Sequence, residues 1–209
     1  MNTLPYIDFH AHHPSLAGEW VIQDGVQTRG RHPWYLSADE TRKDEDSCGY
    51  EKQPERLLAI GESGLDKLCD TPYDLQLQVF KEEVSKSERF RLPLYLHCVR
   101  AIDDVLCIRR ALKACQPVIW HGYTGNDRQI GQLLSPRTER ECGAFYFSFG
   151  FRHKEDALRA CPLSRLLLET DNDTVQPVSL LYERVAAVLN LSLYTLVRQM
   201  HENYRALFG

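Results

Sequence analysis

Apolar residues fall along this chain in short blocks that end on titratable side chains. Leu4 to His10 is such a block and reads as a buried strand closing on His10-Ala11-His12. Leu57 to Ile60, Leu92 to Leu96, Val118 to Trp120, Ala144 to Phe149 and Leu166 to Leu168 repeat the pattern. Between them, Tyr73 to Arg89, Ala101 to Cys115, Asp127 to Leu134 and Glu155 to Ala160 carry apolar residues at helical spacing, and Tyr182 to Leu189 and Leu193 to Phe208 make a helical tail. One stretch departs from the alternation. Asp24-Gly25 separates the β-prone runs 19–23 and 26–29, which predicts an antiparallel hairpin. Residues 37–54 are polar, highly charged and without apolar period, and read as a surface segment with at most one short helix.

Strands alternating with helices predict a parallel sheet with right-handed crossovers. The fold expected is α/β: a TIM-type (β/α) barrel, incomplete, with about seven parallel strands plus a hairpin near residues 19–29. The chain is 209 residues long, enough for one domain and short of the roughly 250 that a full barrel of this class takes. We expect residues 1–209 to form a single domain.

The candidate chemistry sits at the ends of the predicted strands. His10, His12, Glu62, His97, His121 and Asp171 each fall at a C-terminal tip, where barrel enzymes build their sites. Alternation points His10 and His12 the same way. Four imidazoles and two carboxylates suit two divalent ions, with Glu62 as the bridge because a carboxylate offers an oxygen to each metal. In this reading His10, His12, Glu62 and Asp171 hold the more buried ion. Glu62, His97 and His121 leave open positions around the other. Asp171 would orient a water made acidic by the metals and take its proton, so Glu62 and Asp171 are the catalytic candidates. Ligands of this kind accept magnesium, manganese or zinc.

Composition adds little about partners. The net charge of −4 gives no general pull toward nucleic acid or anionic membrane. Seven cysteines without paired spacing, no charged-then-apolar leader and no apolar run of about 20 residues point to a soluble protein of the reducing cytoplasm.

The motifs, taken in order, resemble the TatD family of metal-dependent deoxyribonucleases, within the amidohydrolase-like barrels. IDFHAH is similar to its Asp-x-His-x-His, GRHP to its Gly-Ile-His-Pro, and GESGLD to its Gly-Glu-Ile-Gly-Leu-Asp. LPLYLHCVRA resembles Pro-x-x-x-His-x-Arg, HGYTG resembles His-Cys-Phe-Ser-Gly, and LLLETD ends in the family's Glu-Thr-Asp; the tail ENYRALF is like Asn-x-x-x-Leu-Phe. The resemblance implies phosphodiester hydrolysis with two divalent metal ions on His10, His12, Glu62, His97, His121 and Asp171. It further implies that Arg100 faces the substrate phosphate, that His32 contacts substrate, and that Asp8 and Asp66 hold the ligands in orientation from behind.

Three departures lie at the rim. Gly30 follows the histidine pair by only about eighteen residues, where the family has a further strand and helix. The loop after Asp171 is the brief NDTVQPVS, and Arg31 replaces an apolar residue in GRHP. The ordered motifs and Arg100 give the expectation of a nuclease trimming single-stranded DNA ends. Two readings stay beside it: the same centre acting on a small ester, amide or phosphoester, and a barrel serving a partner complex through exposed aromatics such as Trp20, Trp34 and Tyr35.

Overall fold

The computed structural model describes residues 4–14, 19–37 and 57–209. Most of the charged surface segment expected at 37–54 lies outside the described residues. The chain divides into two compact units, one of Met1–Asp24, His121–Ser135 and Phe145–Gly209, the other of Gly25–Trp120 and Pro136–Ala144.

In the first unit, β1 (Tyr6–Ala11) runs parallel to β2 (Glu19–Gln23), and β7 (Phe145–Phe149) runs parallel to β8 (Leu166–Leu168). Five residues of β1 and all of β7 and β8 are buried, as parallel strands covered on both faces require. Helices α3 (Asp127–Leu133), α5 (Glu155–Ala160), α6 (Val178–Leu189) and α7 (Leu193–Phe208) belong to this unit. Two side chains fix the last pair. The Tyr182 hydroxyl of α6 donates to Ile7 O (2.8 Å), and Asn203 of α7 donates to both Leu163 O and Leu166 O at 2.7 Å. The second bond pair explains the Asn-x-x-x-Leu-Phe tail, because it engages one carbonyl in the helical turn Leu163–Arg165 and one at the first residue of β8 while Leu207 is buried one turn on.

In the second unit, β3 (Thr28–Arg29), β4 (Ala59–Asp66), β5 (Leu94–Val99) and β6 (Val118–Trp120) are joined in parallel. Helices α1 (Tyr73–Phe90), α2 (Ile102–Ala111) and α4 (Pro136–Cys142) accompany them. All eight residues of β4 are buried. Gly64 is required there, since a Cβ on it would collide with His97 O of β5.

The expected hairpin at 19–29 does not form. Gly25 does turn the chain, at φ +74°, yet β2 pairs with β1 and β3 with β4, both in parallel. Asp24 N still donates to Ala11 O (3.0 Å), while Gln27 O already accepts from Leu58 N (2.8 Å). A local Asp-Gly turn stabilises only two flanking strands, whereas the parallel partners bury Ile22 and Thr28, and burial prevails over turn propensity. The arms of the expected hairpin are thus two further parallel strands, eight among the described residues. No single helix among the described residues is long and apolar enough to cross a membrane.

Candidate metal centre

Each unit gathers one group of potential ligands. In the first, the chain leaving β8 returns to the end of β1: Asp171 N donates to His10 O (2.9 Å) and His12 N donates to Asp171 O (3.1 Å). This clasp holds Asp171 in the left-handed region, φ +55°, which aspartate tolerates better than most residues. Its Oδ1 then lies 3.4 Å from His12 Nε2 and 3.9 Å from His10 Nε2. The His121 ring lies tilted against His10, 4.7 Å between centroids at 48°, and His10, His121 and Asp171 each offer a ligand atom within 4.8 Å of the others. That span is close to twice the ~2.0–2.2 Å between a zinc-sized ion and its nitrogen or oxygen ligands.

Carboxylates stand behind these ligands. The Asp24 carboxylate lies 3.7 Å from His12 Nδ1, and Glu169, fully buried, sets Oε1 3.6 Å from His121 Nδ1 while accepting from Gly122 N. Asp8 acts on the backbone instead, accepting from Thr170 N (3.0 Å), the Thr170 hydroxyl (2.6 Å) and His10 N (3.3 Å). Burial pushes its carboxyl up to about 7 against those bonds. The aspartate of IDFHAH and the threonine of LLLETD thus tie two strands at the level of the ligands. A cleft of about 600 Å³ opens in this unit, lined by Tyr123, Phe151, Arg152, Asp171 and Asn172 among others.

In the second unit, Glu62 of β4, His97 of β5 and His32 come together. Glu62 Oε1 is 3.2 Å from His97 Nδ1 and 3.1 Å from His32 Nε2. All three are largely buried. The opposite edge of His97 faces Asp66, with Nε2 to Oδ2 at 3.2 Å, and the same oxygen accepts from the Trp34 indole N–H (2.7 Å). Burial tends to raise the Asp66 carboxyl, but the bonds from Trp34, Leu68 N and His97 outweigh it and hold the group below the usual carboxylate range. In a neutral His97 the ionised Asp66 favours the proton on Nε2. The Nδ1 lone pair is then turned toward the Glu62 carboxylate, two acceptors 3.2 Å apart, an arrangement that a cation between them relieves. The residues therefore fit a metal ion.

His32 differs. Its Nδ1 accepts from Trp34 N (3.2 Å), so a neutral His32 carries its proton on Nε2 and donates into the site. Arg31 anchors this loop to α1, with Nε to Glu83 Oε1 at 2.8 Å and Nη2 to Glu82 Oε2 at 2.6 Å. Arg100 is exposed just beyond β5, at φ +54°. Glu62 and His97 lie inside their strands rather than past the ends, because the β4–β5 ladder continues to Asp66 and Val99. Sequence reasoning did not single out Asp24, Glu169 or Trp34 as site residues. Glu169 sits in LLLETD and Trp34 directly follows GRHP, so both had a signal; Asp24, in a turn, had none.

Imidazoles and carboxylates gathered in groups that could hold a metal ion sit on an α/β fold, that of an incomplete TIM-type barrel. A hydrolase of the TatD family from Entamoeba histolytica superposes with a TM-score of 0.72 over 92% of this chain and 76% of that one, at 16% identity. Residues 10–209 match the family model of TatD related DNase, and the chain belongs to that family. An uncharacterized metal-dependent hydrolase of Bacillus subtilis, YabD, is 28% identical over 178 residues, 74% of this chain and 66% of the relative. The human 3'-5' RNA nuclease TATDN2 is 31% identical over 122 residues, 56% of this chain and 16% of that protein. The chain thus spans less than two thirds of either relative.

Proposed function

We propose that residues 1–209 act as one metal-dependent hydrolase domain cleaving phosphodiester bonds in nucleic acid, with single-stranded DNA ends as substrate. The observation that carries this reading is the buried Glu62–His97 pair, with Glu62 Oε1 3.2 Å from His97 Nδ1 and Asp66 Oδ2 3.2 Å from Nε2 on the opposite edge of the ring. Family membership and the nuclease among the relatives supply the bond type. Two divalent ions, magnesium, manganese or zinc, would be held by His10, His12, His121 and Asp171 in one unit and by Glu62 and His97 in the other. Such ions supply Lewis acidity toward a phosphoryl oxygen and a lowered pKa for water. Asp171 orients the attacking water and accepts its proton. His32 donates its Nε2 proton to a phosphate oxygen, and Arg100 pairs with a neighbouring phosphate through its planar guanidinium. We place the protein in the cytoplasm, which the six described free cysteines support.

The cleft of about 600 Å³ beside Asp171 favours a second reading, since it is the size of a small-molecule pocket: a small ester or phosphoester as substrate. Digestion of an end-labelled single-stranded oligonucleotide, beside a panel of chromogenic esters, tests both. Wild type should cut the strand with magnesium or manganese, and chelator or Glu62→Ala should abolish cutting. Ester turnover with no strand cleavage in any metal overturns the nuclease reading.

A further inference from the structure

Two large aromatic side chains stand exposed next to the second unit's ligand group. Trp34 keeps 53% and Tyr35 75% of their surface open to solvent. Both follow the buried Pro33 in a single helical turn, Pro33–Tyr35, whose backbone is capped by the His32 ring accepting from Trp34 N. Trp34 is also held by its side chain, through the 2.7 Å bond from its indole N–H to the largely buried Asp66. Its ring stands edge-on to His97 (5.5 Å, 77°) and to His32 (5.0 Å, 82°), and the Tyr35 ring lies 5.4 Å from His32. An indole fixed in this way loses little further freedom when something stacks on it.

We propose that Trp34 and Tyr35 form a stacking subsite for a nucleobase next to the phosphate that is hydrolysed. The inference rests on the nuclease reading and goes beyond it by naming the group recognised. Every base offers a π-face, so such a platform takes any sequence; in a duplex those faces are already stacked and only an unpaired end presents them freely. Two aromatic rings beside a cluster that binds the phosphate give grip without a basic groove, which suits a chain of net charge −4. The subsite therefore selects single-stranded ends.

The test measures binding of a cleavage-resistant phosphorothioate hexathymidylate and of its abasic counterpart, in manganese, with manganese content per chain and strand cutting recorded for each protein. Wild type should bind the base-bearing strand at least about fivefold, and up to about a hundredfold, more tightly than the abasic one, the range of base–aromatic stacking. Tyr35→Ala and Trp34→Leu should lose that ratio. Trp34→Phe, which keeps a ring but not the bond to Asp66, should retain most of it. Among the described residues Tyr35 has no bond to Glu62 or Asp66, so its variant reads the subsite even if Trp34→Leu misfolds. Equal affinity of wild type for both strands, with normal cutting, overturns the subsite and leaves the nuclease reading standing. A ratio unchanged in Tyr35→Ala and Trp34→Leu at normal manganese content also overturns it. Absence of both binding and cutting in wild type overturns the nuclease reading, and the nucleobase assignment falls with it.

Discussion

Replacing Asp66 by asparagine keeps the volume of the side chain and reverses the direction of one hydrogen bond. In the native site Oδ1 accepts from Leu68 N (2.8 Å), while Oδ2 accepts from Trp34 Nε1 (2.7 Å) and faces His97 Nε2 (3.2 Å). An asparagine that keeps its oxygen on Leu68 N turns an amino group toward two donors. His97 must then offer a lone pair at Nε2 and carry its proton on Nδ1, the atom that faces Glu62. The flipped amide instead sets the amino group against Leu68 N–H, so neither orientation restores the native set. Loss of such a carboxylate behind a histidine ligand weakens metal binding by about 10- to 100-fold, or ~1.4–2.7 kcal/mol. Downgrading two charge-assisted bonds costs a further ~1–3 kcal/mol of stability, a melting-temperature drop of about 2–12 °C in a chain of this size. Equilibrium dialysis against manganese and a thermal melt in chelator read the two effects separately. An Asp66→Asn protein that binds manganese within about threefold of wild type refutes the tautomer reasoning, whatever its melting temperature.

Three further outcomes follow from the packing. Asn203→Leu removes the side-chain donor from Leu166 O and from Leu163 O, which keeps its bond from Leu166 N, and should lower unfolding free energy by ~1–3 kcal/mol in urea titration; a loss under about 0.5 kcal/mol, by the same rule, would show the tail is not held this way. Arg31→Ala removes one cation from the fully buried Glu83, and because Lys86 remains at 3.0 Å the loss should be about 2–4 kcal/mol, below that of an isolated buried pair, with Glu83→Gln recovering part of it in the double variant. Burial pushes the Cys161 thiol up to about 12, so at pH 8 almost none is thiolate; maleimide should modify exposed Cys107 in the native protein and Cys161 only after denaturation. Native-state labelling of Cys161 at the Cys107 rate would contradict that burial.

Much of the scaffold was legible because strand and helix periods differ. Val118–Trp120, Leu166–Leu168, Glu155–Ala160 and Leu193–Phe208 fall where apolar spacing predicts them. β4 and β5 run further than their apolar blocks, since ladder partners carry polar residues such as Glu62 and His97 along inside the strand. α4, Pro136–Cys142, gave no apolar period because only Thr138 and Cys142 are buried. α6 starts at Val178, four residues before the expected Tyr182, with Pro177 as its N-cap, a position where proline's missing N–H is no loss. The Asp-Gly turn misled for the opposite reason: local chemistry described the turn at Gly25 but carries no information about which strands lie alongside.

The sequence by itself determined the family, the parallel α/β class and the identity of the candidate ligands, because strand alternation and six ordered motifs are properties of neighbours along the chain. The tertiary structure alone shows which candidate ligands stand together within each unit. His121 stands with His10 and Asp171, and His32 with Glu62 and His97. Only the fold sets Asp66 behind His97 and Trp34 behind Asp66. Ladder register and the burial of charged groups bring together residues tens of positions apart, and a side chain's protonation follows from what it touches, not from what precedes it in the chain.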